Sequence, residues 1–364
     1  MKRRSFISRA AGGAAVATAS AVGAPALASN KRRLKMVTTW PKNFPGLGTG
    51  AERLAKAITH ATDGEIDVKV YAAGELVPAF EAFDAVSGGT ADIYHGADYY
   101  WQGKATAFNF FADVPFGLTA AEMMSWIYHD GGQELWDELC ARFNVKPFMG
   151  GNSGVQMGGW FNKEINTLED FKGLRMRIPG LGAEVIRRLG GAAVNLPGAE
   201  VYAALQQGRI DATEWVGPWN DLAFGFHKIA KYYYYPGFHE PGPILSVGFN
   251  MDVWNSLSKA KQETLRLACA AENSISLAEF NSRNATALDA LVNIHKVDIR
   301  SFSEEILKKV GELSGTVVAE AGNEDEFTRK VYKSFLTARK KGNAWYRISD
   351  QAYQDARNLP FDYG

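Results

Sequence analysis

Five residues in this 364-residue chain are suited to holding a small anion and a cation side by side: Arg177, Gln156, Glu214, Trp215 and Glu240. Glu214 and Trp215 close the run Ala203-Ala204-Leu205-Gln206-Gln207-Gly208-Arg209-Ile210-Asp211-Ala212-Thr213-Glu214-Trp215. It reads as the end of an amphipathic helix, a glycine stop, a short buried strand, then an acid and a large aromatic placed to face a cleft. Arg177 ends Gly173-Leu174-Arg175-Met176-Arg177, where alternation puts both arginines on one face of a predicted strand and Leu174 and Met176 on the other. Pro179-Gly180 follows, so Arg177 lies near the strand's carboxyl end, where α/β clefts form. Its guanidinium offers two parallel donors that match a carboxylate. The glutamine and the two glutamates supply hard oxygens for a metal. The combination points to capture of a small organic acid rather than chemistry on it. Taken singly, each residue also fits a plain role: a salt-bridged arginine, a core tryptophan, a strand glutamine, a loop acid between Gly237 and Gly242.

Enzyme motifs do not complete. Gly151-Asn152-Ser153-Gly154-Val155 lacks the last glycine of a nucleophile elbow. Gly103-Lys104 lacks the earlier glycine and the following hydroxyl of a phosphate loop. His95, His129, His227 and His239 show no zinc-protease spacing, and His239 beside Glu240 reads either as an acid–base pair or as a solvated loop histidine.

The amino terminus reads as an address. Lys2-Arg3-Arg4-Ser5-Phe6-Ile7 is a twin-arginine pair, and an Ala/Gly run leads to the small-x-small cleavage site Ala26-Leu27-Ala28. Residues 1–28 are therefore expected to be a twin-arginine signal, and the mature protein to work in a bacterial periplasm. The leader carries Lys2, Arg3, Arg4 and Arg9 and no acid. Its removal takes the bases from 40 to 36 against 40 acids, a formal charge near −4. That balance argues against nucleic acid as a partner. Cys140 and Cys269 each sit in a helix-like pattern, and spacing alone leaves open a disulfide or two buried thiols.

A mature chain of this length favours two domains, and no Pro- or Ser-rich linker divides it. The chain is expected to cross between two lobes more than once, making a hinge. Predicted strands at 34–39 and 66–71, with helices at 49–62 and 79–86 and a strand at 91–94, have the rhythm of an α/β lobe with a largely parallel sheet. Helix follows over 120–143. A second series has strands at 145–150, 156–161, 173–178, 231–235 and 244–250, with helices at 181–189 and 199–207. From Ser258 the pattern is mostly helical. Phe327, Val331 and Phe335 form a stripe that must cover the chain's own lobes or a partner's.

The order of the site residues, with Thr38-Thr39-Trp40, Asp170-Phe171-Lys172-Gly173-Leu174-Arg175-Met176-Arg177 and Leu205-Gln206-Gln207-Gly208-Arg209-Ile210-Asp211-Ala212, resembles the substrate-binding proteins of tripartite ATP-independent periplasmic (TRAP) transporters over nearly the whole mature chain. The resemblance implies a two-lobed periplasmic binding-protein fold with a ligand cleft between lobes and a long C-terminal helical region. One lobe is expected from 31–151 plus approximately 245–285, the other from 152–244 plus approximately 286–322, and 323–364 as an extension exchanged between protomers of a homodimer. Family members place their carboxylate-binding arginine at the position of Arg177. The likeness is closest to binders of 2-oxo acids such as pyruvate, with lactate or another 2-hydroxy acid as the alternative. In that group a metal bridges protein and substrate, which here implies Gln156, Glu214, the main-chain oxygen of Trp215, and Glu240. Sodium is preferred, with calcium as the alternative. Tyr100, Asn152 and Phe249 are further implied substrate contacts, and membrane permease subunits are the implied partners.

Overall fold

The structure, a computed structural model, describes residues 31–363, and the expected signal peptide lies outside them. Its first sheet is built from β1 (Arg32–Thr38), β2 (Ile66–Tyr71), β3 (Ile93–Gly96), β4 (Val145–Asn152) and β10 (Ile244–Asn250), in the order β2-β1-β3-β10-β4. β1 runs parallel to β2 and β3, whereas β10 is antiparallel to both of its neighbours. The second sheet contains β5 (Gly159–Phe161), β6 (Arg175–Arg177), β7 (Ala192–Val194), β8 (Ala212–Thr213), β9 (Tyr232–Tyr235) and β11 (Asp298–Ser301), in the order β11-β9-β5-β8-β6-β7. This is the expected α/β class. Apolar faces decide the layers: the helix Gly48–Ala61 turns Leu54, Ala55 and Ile58 onto the first sheet's core with Leu34, Met36 and Val247. On the second sheet, Val185 and Ile186 of the helix Gly180–Arg188 join Met176 and Phe161.

The chain passes between the sheets three times. A first crossing (153–158) links β4 to β5, and a second (236–243) links β9 to β10. The helix Lys259–Asp289, begun by Ser258 as N-cap and continued by a π-turn at Ala290–Ile294, carries the chain back to β11. The two short crossings are hydrogen-bonded to each other: Gln156 N–H donates to Glu240 O at 3.1 Å, and Gly237 N–H to Gln156 O at 2.9 Å. Gln156 thus lies outside the strand expected at 156–161, which is only β5. Its main-chain groups are taken by the second crossing instead of a sheet neighbour.

Cys140 and Cys269 are buried and free, so the unpaired alternative holds. The late helix, Glu326–Tyr346, turns Phe327, Val331, Phe335 and Ala338 inward. Phe335 packs 5.4 Å from Phe110 and 5.6 Å from Trp126, so the stripe covers the chain's own core. Among the described residues no helix is long and apolar enough to cross a membrane.

Candidate functional site

Strand register explains why Arg177 and Glu214 meet. β6 and β8 are parallel neighbours with Arg177 paired to Thr213, so the two carboxyl ends finish side by side and Glu214 N–H donates to Arg177 O at 3.3 Å. The side chains then pair, Arg177 Nη1 donating to Glu214 Oε1 with both groups buried. Arg177 Nε donates to Leu196 O at 3.1 Å, and the guanidinium lies 5.0 Å from the Trp215 ring centre. Burial opposes the arginine's charge, but Glu214, Tyr100 and Tyr99 outweigh it and hold its pKa above the ordinary value. Half of the fork is therefore spent on Glu214, and Nη2 is left buried without a hydrogen-bond partner.

The crossings bring the other members. Gln156 Nε2 donates to Glu240 Oε2 at 2.6 Å, which leaves Gln156 Oε1 buried and unpartnered. His239 Nε2 stands 3.2 Å from Glu214 Oε2, and its Nδ1 is also unpartnered. Donor atoms of Glu214, His239 and Glu240 all lie within 4.8 Å of one another. Burial first, then the charges of Glu214 and Asp113, push the Glu240 carboxyl well above its usual range. The Trp215 ring is wedged between Phe44 and Phe224, and its Nε1 is a fourth buried polar atom without a partner.

Not every expected residue joins this group. Tyr100 does: it packs 4.7 Å from Phe80, and its hydroxyl is within electrostatic reach of Arg177, Glu240 and Glu214. Asn152 serves as a clamp, its Nδ2 donating to Gly242 O at 3.1 Å while its Oδ1 accepts from Gly154 N–H at 2.8 Å. Both crossings are thereby pinned at their ends. Phe249 lies elsewhere. On β10 it faces away from the group, packed 6.0 Å from Phe148 and 5.4 Å from Trp254, because alternation along the strand turns it into the core beneath the first sheet.

Three residues beyond the expected set belong here. Tyr99 reaches Glu240 and precedes Tyr100, so the Tyr-Tyr pair was its only signal. His239 is buried rather than solvated. Asp113 Oδ2 accepts from Gly242 N–H at 2.7 Å and carries no signal in the sequence, since nothing local links it to residue 242.

Residues 36–325 match the model of bacterial extracellular solute-binding protein family 7. The chain belongs to that family. Its members are substrate-binding receptors of the bacterial periplasm. Over 323 residues this solute-binding protein is 41% identical to a monocarboxylate 2-oxoacid-binding periplasmic protein of Nostoc sp., covering 89% of this chain and 88% of that one. A TRAP periplasmic solute-binding protein from Pseudoalteromonas atlantica with bound sodium and pyruvate superposes with a TM-score of 0.86 at 40% identity, covering 89% of this chain and 99% of that one. One from Bordetella bronchiseptica, a mixed-occupancy dimer with calcium and picolinate in the occupied site, gives a TM-score of 0.88 at 33% identity, covering 90% and 97%.

Proposed function

We propose that this protein is the periplasmic receptor of a TRAP transporter and captures a 2-oxo monocarboxylate of pyruvate's size together with a cation. One observation carries the reading: Arg177 Nη2, Trp215 Nε1, Gln156 Oε1 and His239 Nδ1 are all buried without partners, and they belong to a single cluster. Unsatisfied buried polar atoms are costly, so such a cluster is a template for what it binds. The guanidinium's free nitrogen and the indole N–H beside it suit a carboxylate. An unpartnered amide oxygen beside two glutamates suits a hard cation, and carboxylate oxygens of Glu214 and Glu240 within 4.8 Å of each other suit bonds of about 2.4 Å.

Gln156 Oε1, the carboxylates of Glu214 and Glu240 and the Trp215 carbonyl are the residues that would hold the cation. Sodium is preferred and calcium is the alternative; both occur with small carboxylates in the related structures. When bound, the cation supplies positive charge next to the substrate's carboxylate. Pyruvate and picolinate share one feature, a second donor atom adjacent to the carboxylate, so each can close a five-membered chelate.

Arg177 then has a mechanical task. It bridges Glu214 and the incoming carboxylate, spending one nitrogen on each. Trp215 and Tyr100 flank that contact and exclude water, which strengthens every charge interaction inside. Residues 31–151 with approximately 245–285, and 152–244 with approximately 286–322, act as the two lobes, and the crossings as their hinge. The site is buried, so the lobes part for entry and close on the ligand. Closure is driven by ligand contacts that the open form lacks, and about 5.5 kcal/mol of such preference reverses a 1:99 population.

The receptor binds and releases its solute without catalysis and delivers it to membrane permease subunits. Export by the twin-arginine leader fits a protein that folds before it is translocated. A homodimer is supported by the dimeric Bordetella relative and by the exposed Trp345, Ile348, Tyr353 and Leu359 near the C-terminus.

Calorimetric titration of refolded, ligand-free protein with pyruvate, 2-oxobutyrate and lactate tests the reading. Runs in metal-stripped buffer, and with sodium or calcium added, isolate the ion. Tight, ion-dependent binding of the oxo acids is expected; absence of binding under every condition sends the search to other acids.

A further inference from the structure

We propose that His239 is a positioning residue of this site: it donates Nε2–H to Glu214 and holds that carboxylate in register with Glu240, rather than ligating the cation itself. The role rests on the receptor reading above. Glu214 has both oxygens engaged from opposite partners, Oε1 by Arg177 on β6 and Oε2 by His239 on the second crossing. Of the two groups, the carboxylate oxygen accepts and the ring N–H donates. The hydrogen in the 3.2 Å contact therefore sits on the imidazole, at Nε2.

Placement explains why a staple is needed. Glu214 arrives at the end of β8, and Glu240 arrives on the second crossing, one residue after His239. Both carboxyl groups must face one cation, and Arg177 steadies only the first. His239 is the group that links the crossing carrying Glu240 to the strand end carrying Glu214. Its ring stands at the seam of the two, 5.5 Å from Phe238, and Gly182 below it leaves the room: a Cβ there would come within 3.1 Å of the His239 Cβ. An oxygen-seeking cation takes carboxylate, amide and carbonyl oxygens in preference to imidazole nitrogen. The histidine therefore acts through Glu214, as outer partners orient metal ligands elsewhere.

The test compares the unmutated receptor with His239→Ala and His239→Gln, titrated with pyruvate in sodium and in calcium. Melting of the ligand-free proteins is followed in parallel, as are nitrogen-15 spectra of the unmutated protein's imidazoles. The alanine variant is expected to lose about 10–100-fold in affinity. Glutamine, whose amide can donate in place of Nε2–H, is expected to recover most of that loss. The spectra are expected to show a proton on the His239 Nε2 before and after loading. Alanine binding as tightly as the unmutated receptor overturns the role, as does glutamine no better than alanine at equal melting temperature, or a spectrum showing no proton on Nε2. Absence of 2-oxo acid binding by the unmutated protein overturns the receptor reading and this role with it, which separates the two failures.

Discussion

Arg177 is the residue on which both charge and shape converge, and its substitution has two costs. Arg177→Ala leaves Glu214 as an uncompensated buried charge, so a loss of about 3–5 kcal/mol in stability is expected alongside loss of carboxylate binding. Arg177→Lys is the cleaner probe. It keeps the charge but cannot serve Glu214 and a ligand in parallel, so calorimetry should show a weaker Kd with a smaller drop in Tm. Binding at full strength by a folded lysine variant would take Arg177 out of the ligand contact. Glu214→Gln should weaken ion and pyruvate together, because each completes the other's surroundings. Ion-independent binding by that variant would sink the bridging arrangement.

At the scale of elements, the two crossings and the strand ends decide whether the site exists. Gly237 has no room for a side chain, since a Cβ would stand 2.3 Å from the Gln156 carbonyl oxygen. Gly237→Ala should push the crossings apart, cost about 1–3 kcal/mol by thermal melting and weaken binding through Gln156 and Glu240. Beside each sheet lies a buried aspartate held by a tryptophan and a tyrosine. Asp98 accepts from Trp136 Nε1 at 2.8 Å and Tyr94 Oη at 3.1 Å, and Asp221 from Trp160 Nε1 at 3.0 Å and Tyr233 Oη at 2.7 Å. Burial pushes Asp98 up to about 6 and Asp221 up to about 7, against hydrogen bonds that pull each down. An acid whose folded pKa is raised binds more protons folded than unfolded. Its contribution to stability therefore falls as pH rises from the unfolded value near 4 to the folded value. The melting advantage of the unmutated protein over Asp221→Asn should shrink between pH 4 and 7 and level off above. A difference independent of pH would show that folding leaves the Asp221 pKa unshifted.

For the whole molecule, the outer part of the C-terminus is the place to look for a second copy. Phe327, Val331 and Phe335 are committed to the chain's own core, whereas Trp345, Ile348, Tyr353, Leu359 and Phe361 are exposed. Deleting residues 345–364 should leave pyruvate affinity unchanged and convert a dimer to a monomer by light scattering. A full-length protein that scatters as a monomer removes the dimer proposal.

Much of this molecule was readable from local rules. Apolar and aromatic runs located β1, β2, β9 and β10, glycine stops ended the helices before Gly190 and Gly208, and the order of Gln156, Arg177, Glu214 and Glu240 pointed to a site only through its likeness to a family. Spacing failed where the cause lay across the sheet or the cleft. Phe249 has the type of a pocket residue, but the face of β10 that it occupies packs against Phe148 and Trp254. β11 was not foreseen, because its hydrogen bonds come from β9, more than sixty residues earlier. His239 looked like a loop histidine because its partner, Glu214, is brought to it by the return of the chain over 236–243. The sequence by itself determined the class of fold, which rests on neighbours along the chain, and its likeness to a family supplied the candidate site residues. Only the tertiary structure decided which polar atoms are left without partners, because burial and pairing belong to groups that meet in space.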